Sequence, residues 1–138
     1  MIVYCAGAIK GDSSYQESYQ EIINIVKNHG HSALSELNPE FQSAFPLNVN
    51  QVFQRDIKWI EKSNVMIAEV SGPSLGVGFE ISYALYMREI PVLALYNADV
   101  ENVSAMITGC DSELLYIKTY HNERELDEII KSFLKQQV

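Results

Sequence analysis

The spacing of hydrophobic positions changes repeatedly along this chain, and each change marks an element. Residues 2–6 (Ile2, Val3, Tyr4, Cys5, Ala6) form an apolar run closed by Gly7, the pattern of a strand buried on both faces. Over residues 14–28, Tyr15, Tyr19, Ile22, Ile23 and Val26 recur at helical spacing; Asn28, His29 and Gly30 stop that helix, with Gly30 just past its cap. Residues 32–35 predict a short second strand, and residues 38–47, which carry Pro39 and Pro46, a loop. Helical spacing returns over 49–63 through Val52, Phe53, Ile57, Trp59 and Ile60. Residues 65–70 are a continuous apolar strand except for Glu69; 71–78 read as a loop and 79–87 as a helix. Strands follow at 91–96 and 114–117, with a short helix at 103–107 and a closing helix at 123–135.

Strands that alternate with helices join through crossovers, which gives an α/β fold with a parallel sheet covered on both faces. Five strands predict a doubly wound, flavodoxin-like sheet of order 2-1-3-4-5, with ligands bound at the carboxyl ends of the strands. A chain of 138 residues is expected to form one domain over 1–138 and to bury roughly two-thirds of its unfolded surface. With 47% hydrophobic and 20% charged residues it has the means to build that core and is not of disordered composition. Its apolar runs stop well short of the ~20 residues of a membrane span, and Met1 leads straight into the first strand rather than into a secretory signal pattern. The expectation is a cytoplasmic protein with no membrane partner.

The net charge of −8 narrows the ligands. The basic residues are scattered and form no stripe, so a nucleic-acid partner is not expected, and a bound phosphate must rely on backbone N–H groups and hydroxyls. Cys5 and Cys110 lack metal or redox spacing and read as reduced, buried thiols. His29, His31 and His121 form no ligand pattern, so neither a metal nor a cofactor is expected.

Four places offer chemistry. Gly7 and Gly11 bracket the loop after the first strand, which either cradles an anion at a helix start or simply makes the turn. Glu80 stands in the first turn of the helix predicted over 79–87, where the helix dipole favours a carboxylate; Gly76 and Gly78 just before it suit a close approach to the backbone. Asp56 lies among Val52, Phe53, Trp59 and Ile60. It is either paired with Arg55 or Lys58, or at an exposed border position, or a partly desolvated acid able to move a proton near neutral pH. Tyr4 ends up near the first glycine loop, as a core aromatic or with its hydroxyl in a site.

These stretches also carry a resemblance. Arg55-Asp56-Ile57-Lys58-Trp59-Ile60, the strand 65–70, Pro73-Ser74-Leu75-Gly76-Val77-Gly78-Phe79-Glu80 and Ser104-Ala105-Met106-Ile107-Thr108-Gly109 closely resemble the 2′-deoxynucleoside 5′-monophosphate N-glycosidases of the nucleoside 2-deoxyribosyltransferase superfamily. The likeness covers nearly the whole chain and is densest from Arg55 to Glu80. It implies hydrolysis of the N-glycosidic bond, with Glu80 as nucleophile at C1′, Asp56 as the acid that assists departure of the base, and Tyr4 beside the sugar and the nucleophile. It further implies that Gly7, Ile9, Lys10 and Gly11 surround the nucleotide and that Ser74, Gly76 and Ser104 bind the phosphate, with Ser104 and Met106 supplied by the second subunit of a homodimer. Lys10 stands where the family carries an arginine, and Leu37 where relatives carry a histidine; a lysine cannot repeat an arginine's bidentate grip on phosphate.

Other functions stay open. A nucleoside 2-deoxyribosyltransferase resembles this chain but has an acid six residues before its nucleophile, where Ser74 stands here, and an amide at the place of Ser104. An acid at that place would repel a phosphate dianion by ~1 kcal/mol or more even in high dielectric, so the two serines favour the monophosphate. A ribonucleotide (CMP-type) hydrolase of the superfamily and a non-catalytic nucleotide or flavin module of flavodoxin type are the remaining readings. Val103, Met106 and Ile107 are expected to form an exposed apolar patch that seeks a second subunit.

Overall fold

The computed structural model describes residues 1–138. The expected strands are all present: β1 (Ile2–Gly7), β2 (Ser32–Leu34), β3 (Val65–Glu69), β4 (Val92–Asn97) and β5 (Leu115–Tyr120), joined in the order β2-β1-β3-β4-β5. Every pairing is parallel; Tyr4 lies opposite Leu34 and Met66, and Glu69 opposite Gly7 and Leu95. The helices are α1 (Gln16–Asn28), α2 (Val49–Lys62), α3 (Leu75–Ser82), α4 (Ala105–Thr108) and α5 (Glu123–Gln137).

Alternation along the strands divides the core in two. Val3, Cys5, Ile67, Leu93 and Leu95 pack against Tyr19, Ile22 and Val26 of α1 and Leu126, Ile130 and Phe133 of α5. Tyr4, Ala6, Met66, Ala68, Val92 and Ala94 face Ile60 of α2, Val77 and Ile81 of α3, and Ile107 of α4. Buried strands can be apolar on both faces, which is why they read as unbroken runs. α1 ends as its sequence predicts. Gly30 takes a φ of 85°, open to glycine at little cost, and the N–H groups of Gly30 and His31 close on the carbonyls of Lys27 and Val26.

Three expectations are corrected. The helix predicted to begin at Phe79 begins at Leu75: Ser74 caps it, its Oγ accepting from Val77 N at 3.3 Å, and a wider π turn over Tyr83–Met87 continues it. Glu80 therefore lies in the second helical turn, beyond the reach of the favourable first-turn dipole. Of the patch expected on 103–107, Ile107 is buried in its own chain's core and Val103 is half-buried, while Met106 is 83% exposed. Cys5 is buried, but Cys110 is only half-buried. α2 is also less covered than its pattern suggests: only Ile60 is buried, and Val49 and Phe53 are exposed.

Candidate active site

Three side chains from three elements meet at the carboxyl end of the sheet. Tyr4 points from β1 toward α2 and α3, and its hydroxyl donates to Oε2 of Glu80 on α3. Asp56 on α2 lies beside Glu80, close enough for each carboxyl to shift the other's titration. Sequence reasoning could propose each residue singly; their meeting is tertiary. Asp56 also receives the Nε of Arg55 at 3.0 Å, and Arg55 gives its Nη2 to Glu36 at 3.1 Å while stacking over Trp59. Of the readings offered for Asp56, the exposed border position is not realised and the other two hold together: it is ion-paired with Arg55, and it is a partly desolvated acid beside Glu80.

The electrostatics follow from this packing. Burial, with the carboxylates of Asp56 and Glu36 nearby, pushes Glu80 up to about 8 despite the donated Tyr4 hydroxyl. Burial raises Asp56 as well, but the Arg55 guanidinium opposes that rise. The Tyr4 hydroxyl is pushed well above its usual range by burial and by both carboxylates. Glu80 therefore keeps its proton near neutrality, while the Arg55 guanidinium favours the charged form of Asp56.

A second group of candidates lines an adjoining cleft of about 640 Å³ between α3 and the segment leading through α4. Ser74, Gly78, Ser104 and Met106 of one chain all contribute to it, whereas Tyr4, Asp56 and Glu80 do not line it. Ser74 lies six residues before Glu80, about 9 Å along a helix axis, so the cleft and the acid pair occupy neighbouring ends of α3. Ser104 is exposed and caps α4, its Oγ accepting from Met106 N at 3.2 Å.

The glycine loop has internal reasons for its composition. A Cβ on Gly7 would stand 2.5 Å from the Tyr19 ring, and one on Gly11 2.6 Å from the Pro73 carbonyl oxygen. The loop after β1 is thereby seated on the loop after β3, with Asp12 N donating to that same carbonyl at 3.3 Å. Ile9 packs on the α1 and α5 core, and Lys10 is exposed. A Cβ on Gly78 would meet nothing within 4 Å, and one on Gly76 only the Ser74 hydroxyl at 4.0 Å. These two helix-destabilising residues have no packing reason within the chain.

A family model described as nucleoside 2-deoxyribosyltransferase matches residues 3–123. A Methanosarcina mazei protein provisionally named a 2′-deoxynucleoside 5′-phosphate N-hydrolase is 35% identical, over 96% of this chain and 83% of its own. The 5-hydroxymethyl-dUMP N-hydrolase of Esox lucius is 32% identical, over 98% of this chain and 97% of its own. Among solved structures, the CMP N-glycosidase of Clostridium botulinum superposes with a TM-score of 0.68 at 19% identity, covering 95% of this chain and 98% of the other. A 2-deoxyribosyltransferase of Bacillus psychrosaccharolyticus gives 0.67 at 14%, covering 91% and 89%. At those identities the two structures bear on the fold alone, and they share it.

Proposed function

We propose that this chain, which belongs to the nucleoside 2-deoxyribosyltransferase family, hydrolyses 2′-deoxynucleoside 5′-monophosphates to a free nucleobase and deoxyribose 5-phosphate. The meeting of Tyr4, Asp56 and Glu80 is the observation that carries the reading. In the first step the Glu80 carboxylate bonds to C1′ as the C1′–N bond breaks; its electron pair leaves with the base, which takes a proton from Asp56. In the second, a water that gives its proton to Asp56 attacks C1′ and releases Glu80. Before substrate binds, the proton rests on Glu80. Its transfer to Asp56 creates the nucleophile and the acid in one move. Tyr4 holds the attacking carboxylate in place through its hydroxyl.

The 5′-phosphate is assigned to Ser74, Gly76 and Ser104. The first N–H groups of a helix have no partner within it, so the start of α3 offers the Gly76 N–H beside the Ser74 hydroxyl. The names of the relatives support a monophosphate and a hydrolysis. The test is release of base from each of the four dNMPs, the NMPs and the matching deoxynucleosides. A dNMP should react at least about a hundredfold faster than its deoxynucleoside, a gap of the size expected when remote binding energy is lost. Equal rates, or transfer to an added base that outruns hydrolysis, would refute the proposal.

We also assign a homodimer with shared sites, in a cytoplasmic setting that suits the unpaired Cys5 and Cys110. Val49 and Phe53 on α2 and Leu75 and Phe79 on α3 are all exposed, Leu75 by 97%, and Phe53 meets Phe79 edge-on at 5.9 Å. Such a stripe on two adjacent helices suits a second copy. No helix is long and apolar enough to cross a membrane.

Gly78 gives a separable prediction. Within a helix, Ala is favoured over Gly by about 1 kcal/mol, so Gly78→Ala should melt about 3 °C higher. Its methyl would enter space assigned to substrate or partner, so kcat/KM should fall roughly tenfold or more. Thermal melts and steady-state rates on one preparation check both signs, and full activity would show the space is spare.

A further inference from the structure

We propose that Glu69 is a positioning residue that fixes the two phosphate-binding loops of its chain, the Ser74 loop for its own site and the Ser104 loop for its partner's; this rests on the reading above of the phosphate site and the dimer. Glu69 ends β3 and is 2% exposed. It lies on the α1 and α5 side of the sheet, with Val65 and Ile67, and so on the opposite face from Tyr4 and the acid pair. It takes no part in the chemistry assigned to them.

Its bonds reach three strand ends. Oε1 accepts from Ser71 N at 2.7 Å, and Oε2 accepts from Ser71 Oγ at 2.9 Å and from the Tyr120 hydroxyl. Ser71 Oγ in turn accepts from Asn97 N at 2.8 Å, and Tyr120 O accepts from Ala98 N at 2.9 Å. One carboxylate thereby ties the ends of β3, β4 and β5 together. The two cleft walls start from these ends: Ser71 leads in three residues to Ser74 and α3, and Asn97 in seven to Ser104 and α4. The fold itself has little need of a charge here. A buried carboxylate is costly, and an apolar side chain of similar volume packed among the same neighbours is often as stable. What an apolar side chain cannot do is fix both loops through directional bonds, and in the proposed dimer each phosphate takes one of these loops from each subunit.

Glu69→Gln keeps the size but turns one acceptor oxygen into a donor that faces hydroxyls already donating. With the dNMP that wild type cleaves fastest, KM should rise about tenfold or more while kcat stays within about threefold, the scale of one lost charge-assisted bond. With the matching deoxynucleoside, which has no phosphate to place, kcat/KM should stay within about threefold of wild type. Tyr120→Phe removes a single donor and should shift KM in the same direction by about threefold; it carries the test if Glu69→Gln does not fold. Equal losses on both substrates, a fall confined to kcat, or an unchanged KM in the folded variants would overturn the proposal. Titrating deoxyribose 5-phosphate by calorimetry separates this from the reading of the reaction. If wild type cleaves no monophosphate, that reading falls, and Glu69 is still judged by whether its Gln variant binds the sugar phosphate about tenfold more weakly. Equal affinities, or no binding by wild type, overturn it.

Discussion

Glu80→Ala abolishes base release, by about a thousandfold or more, because the covalent route has lost the group that forms it. Rapid quenching of wild type with a dNMP should yield a deoxyribose 5-phosphate adduct on the peptide that contains Glu80, and the variant should yield none. Turnover by Glu80→Ala at the wild-type rate would refute the assignment. The neighbouring acid shapes the pH dependence. The pair is active with one proton: with two there is no nucleophile, and with none there is no acid. In wild type, kcat/KM should therefore fall on the acid side as the second proton is taken up, and on the alkaline side as the last is lost near the value of about 8 set by Glu80. Asp56→Asn should lower the rate roughly a hundredfold or more and lose the alkaline limb. The limb that remains is the ionisation of Glu80 alone, and with a like charge gone from beside it that limb should lie below the wild-type value of about 8.

The same burial has a signature in stability. Because the folded state raises the pKa of Glu80, it binds more protons than the unfolded chain from the ordinary glutamate value up to about 8. Stability from this group is full at low pH and is lost as pH rises through that window. Glu80→Gln cannot ionise, so its melting temperature relative to wild type should climb from pH 5 to pH 9. A difference that is flat or falls with pH would mean that Glu80 is not held in the desolvated setting described.

The strands and their order were legible because the sheet is buried on both faces, so runs such as 2–6 and 65–70 stay apolar without alternation. The start of α3 was not. Ser74 is a good cap, but Gly76 and Gly78 each oppose a helix by about 1 kcal/mol, and only burial of Val77 and Ile81 against the sheet outweighs them. Misplacing that start put Glu80 in the first turn and reversed the sign of its shift: a dipole-stabilised carboxylate was expected where burial disfavours the charge. Arg55 could be proposed as a partner of Asp56 from adjacency alone, whereas Glu36 and Glu80 approach from other elements. Glu69 stood out as the one charge in an apolar strand, a sign that partners must exist, but Tyr120 lies 51 residues away and no local pattern names it.

Mixing Glu80→Ala with Ser104→Ala should restore activity well above either parent. Within one chain, Ser104, Met106 and Ser74 line the same cleft, and Met106 is 83% exposed there. The exposed stripe of Val49, Phe53, Leu75 and Phe79 runs along the helices that carry Asp56 and Glu80. The dimer proposed is one in which a second copy seated on that stripe brings its α4 segment to the acid pair. In a twofold dimer built this way, each site takes Glu80 from one subunit and Ser104 from the other. One site of a mixed dimer then carries both lesions, and the other carries none. After full exchange of equal amounts, half the dimers are mixed and about a quarter of all sites are intact, so activity should reach about a quarter of wild type. Dilution below the dimer Kd should remove it again, for the recovered mixture and wild type alike. If Ser104 instead serves the cleft of its own chain, every site in the mixture keeps one lesion. Proven subunit exchange without recovery would then place the phosphate between Ser74 and Ser104 of a single subunit.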